Sequence, residues 1–138
     1  MQNLSRLLYV STAANLVTEA DLFQILETSR TNNHEVGITG VLCGSGRHFI
    51  QVLEGHEHDL MRMYVKIIDD PRHRDCFLIG LVPIAQRMFE QWSMGYIQQS
   101  HEDILLEQQE LMSCRPYKDE DGELIRIMKR ILNRLKPA

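Results

Sequence analysis

Cysteine is scarce in this chain: Cys43, Cys76 and Cys114 are the only three in 138 residues, and none form a CxxC spacing. A disulfide frame or a zinc site is therefore not expected, and the three read as small buried hydrophobes. No run of 18 apolar residues occurs, so no membrane span is expected. The start, Met1-Gln2-Asn3-Leu4-Ser5-Arg6, lacks the charged onset and apolar stretch of a secretion signal, which makes cytoplasmic residence the expectation. Basic runs are missing before the last helix and the net charge is −4, so neither nucleic acid nor membrane is an expected partner. The six histidines form no ligand set; His56 and His58 stand two apart at a helix start, and no metal is expected. Gly44-Ser45-Gly46 precedes a strand rather than a helix, which excludes a phosphate loop. Repeats and low-complexity segments are absent.

What is present is an ordinary globular composition, 43% hydrophobic and 25% charged. The length suits one domain with a core of its own. The most informative stretch is His48-Phe49-Ile50-Gln51-Val52-Leu53-Glu54-Gly55. It reads as a central strand, with Phe49, Gln51 and Leu53 on one face and Ile50 and Val52 on the other. Gln51 is thus an amide among core side chains. Left without partners it would cost about 1–3 kcal/mol, so something polar is expected to meet it.

Arg6–Ser11 alternates as a first strand, with Leu7, Tyr9 and Ser11 on one face. Thr12–Val17 connects it to a helix. Thr18-Glu19-Ala20-Asp21 resembles a capping box, and the helix places Leu22, Ile25, Leu26 and Ser29 on one stripe before an expected end near Thr31-Asn32-Asn33. Gly37–Cys43 reads as a second strand, hairpinned through Gly44-Ser45-Gly46 to the third. A second helix starts at Glu57 to Asp59, carries Leu60, Met63, Tyr64, Ile67 and Ile68, and stops at Asp70-Pro71. Cys76–Ile84 reads as a fourth strand, Ala85–Gln91 as a charged loop and Trp92–Gln98 as a fifth strand. Two helices are expected in the tail, about 102–112 and 119–135, separated by Arg115-Pro116-Tyr117. The last carries Leu124, Ile127, Met128, Ile131, Leu132 and Leu135 on one stripe, with Arg126, Lys129, Arg130 and Arg134 read as a solvated face.

The order β-α-β-β-α-β predicts an α+β, ferredoxin-like sheet with the first and third strands side by side at its centre. An additional fifth strand and two C-terminal helices follow, the helices covering the open face of the sheet. Residues 1–98 form the expected α/β domain, where the cleft lies, and residues 99–138 a helical extension of the same globular unit. In this arrangement Tyr9, Gln51, the Asn32-Asn33 pair, Lys66, Arg72 and His73 converge between two helices, walled by Ile25 and Ile67. That is a cleft for a flat ring with polar edges. Taken singly, a strand tyrosine is usually core packing, paired asparagines usually cap a helix, His73 reads as a surface histidine, and Trp92 and Met94 read as core.

Taken together, the chain from about Ser5 to Ile97 resembles a BLUF domain, the blue-light sensor that binds flavin between two helices. The pieces carrying the resemblance are Arg6-Leu7-Leu8-Tyr9-Val10-Ser11, Asn32-Asn33, Gly37-Ile38-Thr39-Gly40-Val41-Leu42, Phe49-Ile50-Gln51-Val52-Leu53-Glu54-Gly55, Asp70-Pro71-Arg72-His73 and Trp92-Ser93-Met94. The resemblance implies that Tyr9 is the photoactive tyrosine, donor of an electron and a proton. Gln51 would be the glutamine whose hydrogen bonds rearrange to give a reversible red-shifted state. Asn33 would bond the O4/N3 edge of the ring, with Asn32 beside it. Lys66 stands where other members carry arginine near O2, a substitution that keeps charge and loses the forked geometry. Arg72 and His73 would be the basic pair near the ring, and Asp70 would lie near the ribityl chain. Ile25 and Ile67 would sandwich the ring, and Trp92 and Met94 would be the two residues that exchange places near the glutamine. FAD is the implied cofactor, with FMN or riboflavin also open.

The resulting expectation is a stand-alone photoreceptor rather than an enzyme, with a homo-oligomeric state and an output delivered by contact with a downstream protein. The competing readings are a flavin-free ferredoxin-like regulatory or oligomerisation module, and a small hydrolase of acyl phosphates. The second lacks a glycine-flanked arginine loop in its first strand-helix turn.

Overall fold

Alternation along the first strand sets the layout. The computed structural model describes residues 3–115 and 122–135. Strand β1 (Leu4–Ala13) is followed by α1 (Glu19–Val36), β2 (Thr39–Gly44), β3 (His48–His56), α2 (Glu57–Asp69), β4 (His73–Pro83), β5 (Gly95–Gln98), α3 (His101–Ser113) and α4 (Gly122–Arg134). The strands form one sheet in the order β4-β1-β3-β2-β5. The first four run antiparallel to their neighbours, and β5 joins β2 in parallel. This is the expected ferredoxin-like order with a strand added at the β2 edge.

Period-two alternation sends the two halves of β1 and β3 to opposite layers. Leu7, Tyr9, Phe49 and Leu53 pack with Leu26 of α1 and Leu60 of α2. Leu8, Val10, Ile50 and Val52 pack with Ile104 and Leu111 of α3 and with Ile127, Met128 and Ile131 of α4. The tail helices therefore cover the second face, as the apolar stripe predicted. The expected start of the last helix at Asp119, the spacer residues Pro116 and Tyr117, and the side chain of Leu124 lie outside the described residues.

Several boundaries differ from the sequence reading, each for a local reason. Helix α1 does not end at the asparagines but continues to Val36, because Gly37 takes the left-handed conformation (φ 71°) that closes a helix. Asn33 is thereby an interior position of the last turn. At the other end Thr18 accepts the Asp21 backbone N–H at 3.1 Å, the half of the capping box that the threonine supplies. Strand β2 consequently starts at Thr39, and β4 starts at His73, where it pairs with Ala13. Gly40 is required by close approach, since a Cβ there would stand 2.1 Å from the Val52 carbonyl oxygen. Strand β5 holds only four residues, so Trp92 and Met94 belong to the loop before it rather than to the strand.

Candidate functional site

Tyr9 and Gln51 are directly opposite partners in the β1–β3 ladder, at the centre of the sheet. Both are buried. The Tyr9 hydroxyl donates to Gln51 Oε1. Gln51 Nε2 in turn donates to the Met94 sulfur at 3.4 Å. Both ends of the amide are therefore used, one by a phenol and one by a weak sulfur acceptor. Burial, with smaller effects from Cys76 and Tyr64, pushes the Tyr9 phenol above its ordinary pKa, so it stays protonated and able to donate. The Tyr64 ring of α2 stands 5.4 Å from the Tyr9 ring, tilted by 57°.

Asn33 is fully buried in the last turn of α1. Its Nδ2 donates to the Ser93 carbonyl at 2.8 Å. Its Oδ1 has no partner among the described residues. Arg30, one turn earlier, donates from Nε to the Met94 carbonyl at 3.1 Å. The loop 84–94 is thus tied to α1 by two side chains and to β3 by Gln51. Asn32 points to solvent.

Trp92 and Met94 part company. Met94 joins the layer containing Tyr9, whereas Trp92 packs against the layer under α3 and α4. The Trp92 backbone carbonyl accepts the Gly40 N–H of β2 at 2.8 Å. The structure therefore brings Met94, not the Trp92 side chain, to the glutamine.

Ile25 on α1 and Ile67 on α2 are half-buried, as walls of a cleft would be, and Lys66 is exposed beside Ile67. Asp70 and Arg72 form a local pair just past α2, with Arg72 Nη2 2.6 Å from Asp70 Oδ2. The Arg72 hydrogen bonds hold the Asp70 carboxyl down at a pKa of about 2. His73 opens β4; its Nδ1 is buried with no partner among the described residues, and burial lowers its pKa. Two open hollows, of about 370 and 630 Å³, flank the loop that carries Ser93. The larger is bordered by Arg30, Trp92, Met94 and Arg134.

Does the cluster suit a flavin? A buried acceptor such as Asn33 Oδ1 is expensive to leave unpaired, by about 1–3 kcal/mol. A ring carrying an N–H edge would satisfy it. An uncharged phenol, a rotatable amide and a half-buried aliphatic residue on each helix complete a donor set of the right chemistry. The residues present fit the group.

A family model described as "Sensors of blue-light using FAD", BLUF, matches residues 4–95. The chain belongs to the BLUF family. It is similar to a photoactivated adenylate cyclase subunit beta of Euglena gracilis, 35% identical over 105 residues. That match covers 75% of this chain and 12% of the cyclase subunit, so the chain spans about an eighth of that relative's length. Among solved structures, the BLUF protein BlrB in its dark state superposes with a TM-score of 0.71 at 32% identity, over 95% of this chain and 98% of that one. BlsA in its photo-activated state superposes with a TM-score of 0.76 at 27% identity, over 98% and 99%. The BLUF chain is accordingly a blue-light sensor of the flavin-using class. No helix among its described residues is long and apolar enough to cross a membrane.

Sequence reasoning assigned no role to two residues of this BLUF site, nor to Glu54 on the opposite face of the sheet. Arg30 and Ser93 lie in ordinary-looking segments, and only the folded loop shows that they meet Met94 and Asn33. Glu54 was visible as a charge at the end of an otherwise apolar strand. Its position three residues after Gln51 on the same buried strand was the available signal.

Proposed function

We propose that the chain binds FAD non-covalently between α1 and α2 and uses Tyr9 and Gln51 to convert blue light into a hydrogen-bond rearrangement. The observation that carries this reading is the Tyr9–Gln51–Met94 chain beside the unpartnered Asn33 Oδ1. When bound, the flavin absorbs blue light and becomes a strong electron acceptor. Tyr9 is the donor of the electron and proton. Gln51 is the side chain whose state changes. A half-turn of its amide exchanges Oε1 and Nε2, so that the tyrosine meets a donor and Met94 meets an oxygen. Two discrete arrangements of this kind make a bistable element that packing can read.

In this reading Asn33 holds the polar edge of the ring, with Asn32 beside it. Ile25 and Ile67 form the walls, Lys66 and His73 lie near the ring, and Asp70 and Arg72 fix the turn that leads from α2 to β4. Met94 is the residue that senses Gln51, and Trp92 reports the change on the far face of the sheet. Residues 1–98 carry the sensing function and residues 99–138 the helices through which a cytoplasmic, self-associating receptor contacts its partner protein. FMN is accommodated by the same ring contacts as FAD, since those contacts involve no adenine.

The test is a spectrum. The purified protein, reconstituted with FAD, is expected to be yellow and to show a small reversible red shift of its visible absorption after blue light. Protein that stays colourless after reconstitution with FAD, FMN and riboflavin would overturn the reading and favour a flavin-free module.

A further inference from the structure

Glu54 follows Gln51 by three residues on β3, so its side chain leaves the opposite face of the sheet. It is fully buried, and Arg6, its cross-strand partner, is nearly so. Arg6 Nε and Nη2 each lie 2.8 Å from Glu54 Oε2. The same carboxylate accepts the backbone N–H of Met88 at 2.9 Å and of Phe89 at 2.7 Å. The Glu54 backbone carbonyl accepts from Arg87 Nη1 at 3.1 Å, and that guanidinium also donates to Thr39 Oγ1 at 2.9 Å. Charge-assisted bonds of this number are strong and direction-setting.

The loop between β4 and β5 therefore has two halves with different moorings. Its first half, through Phe89, is fixed to β3 by Glu54. Its second half is held by Gly40 at the Trp92 carbonyl, Asn33 at the Ser93 carbonyl, and Arg30 and Gln51 at Met94. Three of those four moorings come from the flavin-side cluster, and one of them is the amide expected to turn.

We propose that the buried Arg6–Glu54 pair positions the switch, pinning the first half of the loop so that a change at Gln51 is confined to Trp92–Met94. The inference rests on reading Gln51 as the light-responsive amide. An apolar pair would fill the same space under α3 and α4 at least as stably, because buried ion pairs lose most of their attraction to desolvation. Such a pair would leave the Met88 and Phe89 N–H groups without an acceptor. Fixing those two groups is what the carboxylate supplies.

Two variants test this: Glu54→Gln, and the double variant Arg6→Met with Glu54→Leu. The single change removes the negative charge facing Arg6 but keeps one amide oxygen for the loop N–H groups, and the double change deletes the acceptor altogether. Ile104→Ala, in the same apolar layer on α3, is the control for destabilisation alone. Amide hydrogen exchange at Met88, Phe89 and Gly40 is measured in the dark, together with the red shift and its dark recovery. The double variant is expected to exchange at least tenfold faster at these amides than Ile104→Ala and to recover at least threefold faster with the red shift unchanged in size, and Glu54→Gln, which keeps a neutral acceptor, is expected to fall between wild type and the double variant. Exchange at Met88 and Phe89 within twofold of wild type in the double variant overturns the inference, as does an equal acceleration in Ile104→Ala. Loss of any red shift in the wild-type protein defeats the flavin reading instead, and the exchange comparison still decides the pin.

Discussion

Toward α3 and α4, strands β1 and β3 present Leu8, Val10, Ile50 and Val52; toward α1 and α2 the same strands present Tyr9 and Gln51 among their leucines. The first layer is apolar across its centre, with its buried carboxylates gathered into two bonded sets, and Gln99 Oε1 beside the second has no partner among the described residues. Glu54 takes Arg6 and the loop amides, and Glu107 of α3, nearly buried, takes Arg130 at 3.2 Å and Arg134 at 3.4 Å from α4. The second layer is built differently. Helix α1 buries only Leu26 and Asn33 along its 18 residues, and one polar atom of Asn33 is left over. A layer of that kind is thinly packed and partly unpaired. The comparison teaches where the fold keeps its stability and where it keeps its freedom to change: the α3/α4 side resists rearrangement, and the α1/α2 side retains alternatives.

The largest test of this division is to remove the polar chain from the second layer. Tyr9→Phe and Gln51→Leu are each expected to bind flavin and to lose the red-shifted state completely, measured as the light-minus-dark difference spectrum. Each is expected to lower unfolding free energy by about 1–3 kcal/mol, because it leaves the buried partner across the Tyr9–Gln51 bond unpaired. A normal photocycle in either variant would break the assignment of the switch to this face.

A smaller effect of the opposite kind is expected across the sheet. Ile131→Ala opens a cavity in the fully buried layer beneath α4. It is expected to lower unfolding stability by about 2–5 kcal/mol in urea titrations, with the red shift retained in size. Loss of the red shift with unchanged stability would reverse the roles given to the two faces.

The smallest expected effect is at the edge of the sensing side. The Asp70 carboxyl is held at about 2 by Arg72, below its ordinary value of 3.8. Its contribution is present above the unfolded pKa and is lost as pH falls through the folded one. Arg72 is largely exposed, so solvent screening limits the pair to roughly 0.5 kcal/mol. Asp70→Asn is therefore expected to be less stable than wild type by that amount at pH 6, with the difference vanishing toward pH 2 in acid-unfolding curves. A difference that persists at pH 2 would show that the residue acts through shape rather than charge.

Much of the frame was legible because it depends on period. The alternation in Arg6–Ser11 and Phe49–Leu53 assigns each residue to a face, and the order of strands and helices leaves few topologies. The pairing of Tyr9 with Gln51 was legible as well, once β1 and β3 were placed side by side. The loop before β5 was not legible. Trp92 and Met94 look like alternate residues of a strand, which would put both on one face. They separate because β5 begins at Gly95 and the chain before it is steered by Gly40, Asn33, Arg30 and Glu54, four partners distant in sequence. The basic residues of α4 show the same limit. Arg130 and Arg134 read as a solvated face, and only the packing of α4 against α3 brings them to Glu107.

By itself, then, the sequence determined the sheet order, the two apolar layers and the placing of a glutamine in a central strand opposite a tyrosine. Local periodicity and the handedness of crossovers act over short spans of chain, and those are written in the order of residues. Tertiary structure alone decided which residue meets the glutamine, which acceptor of Asn33 stays open and what pins the loop. Each of those is a meeting of side chains and backbone groups 30 or more residues apart, settled by how the layers close on one another.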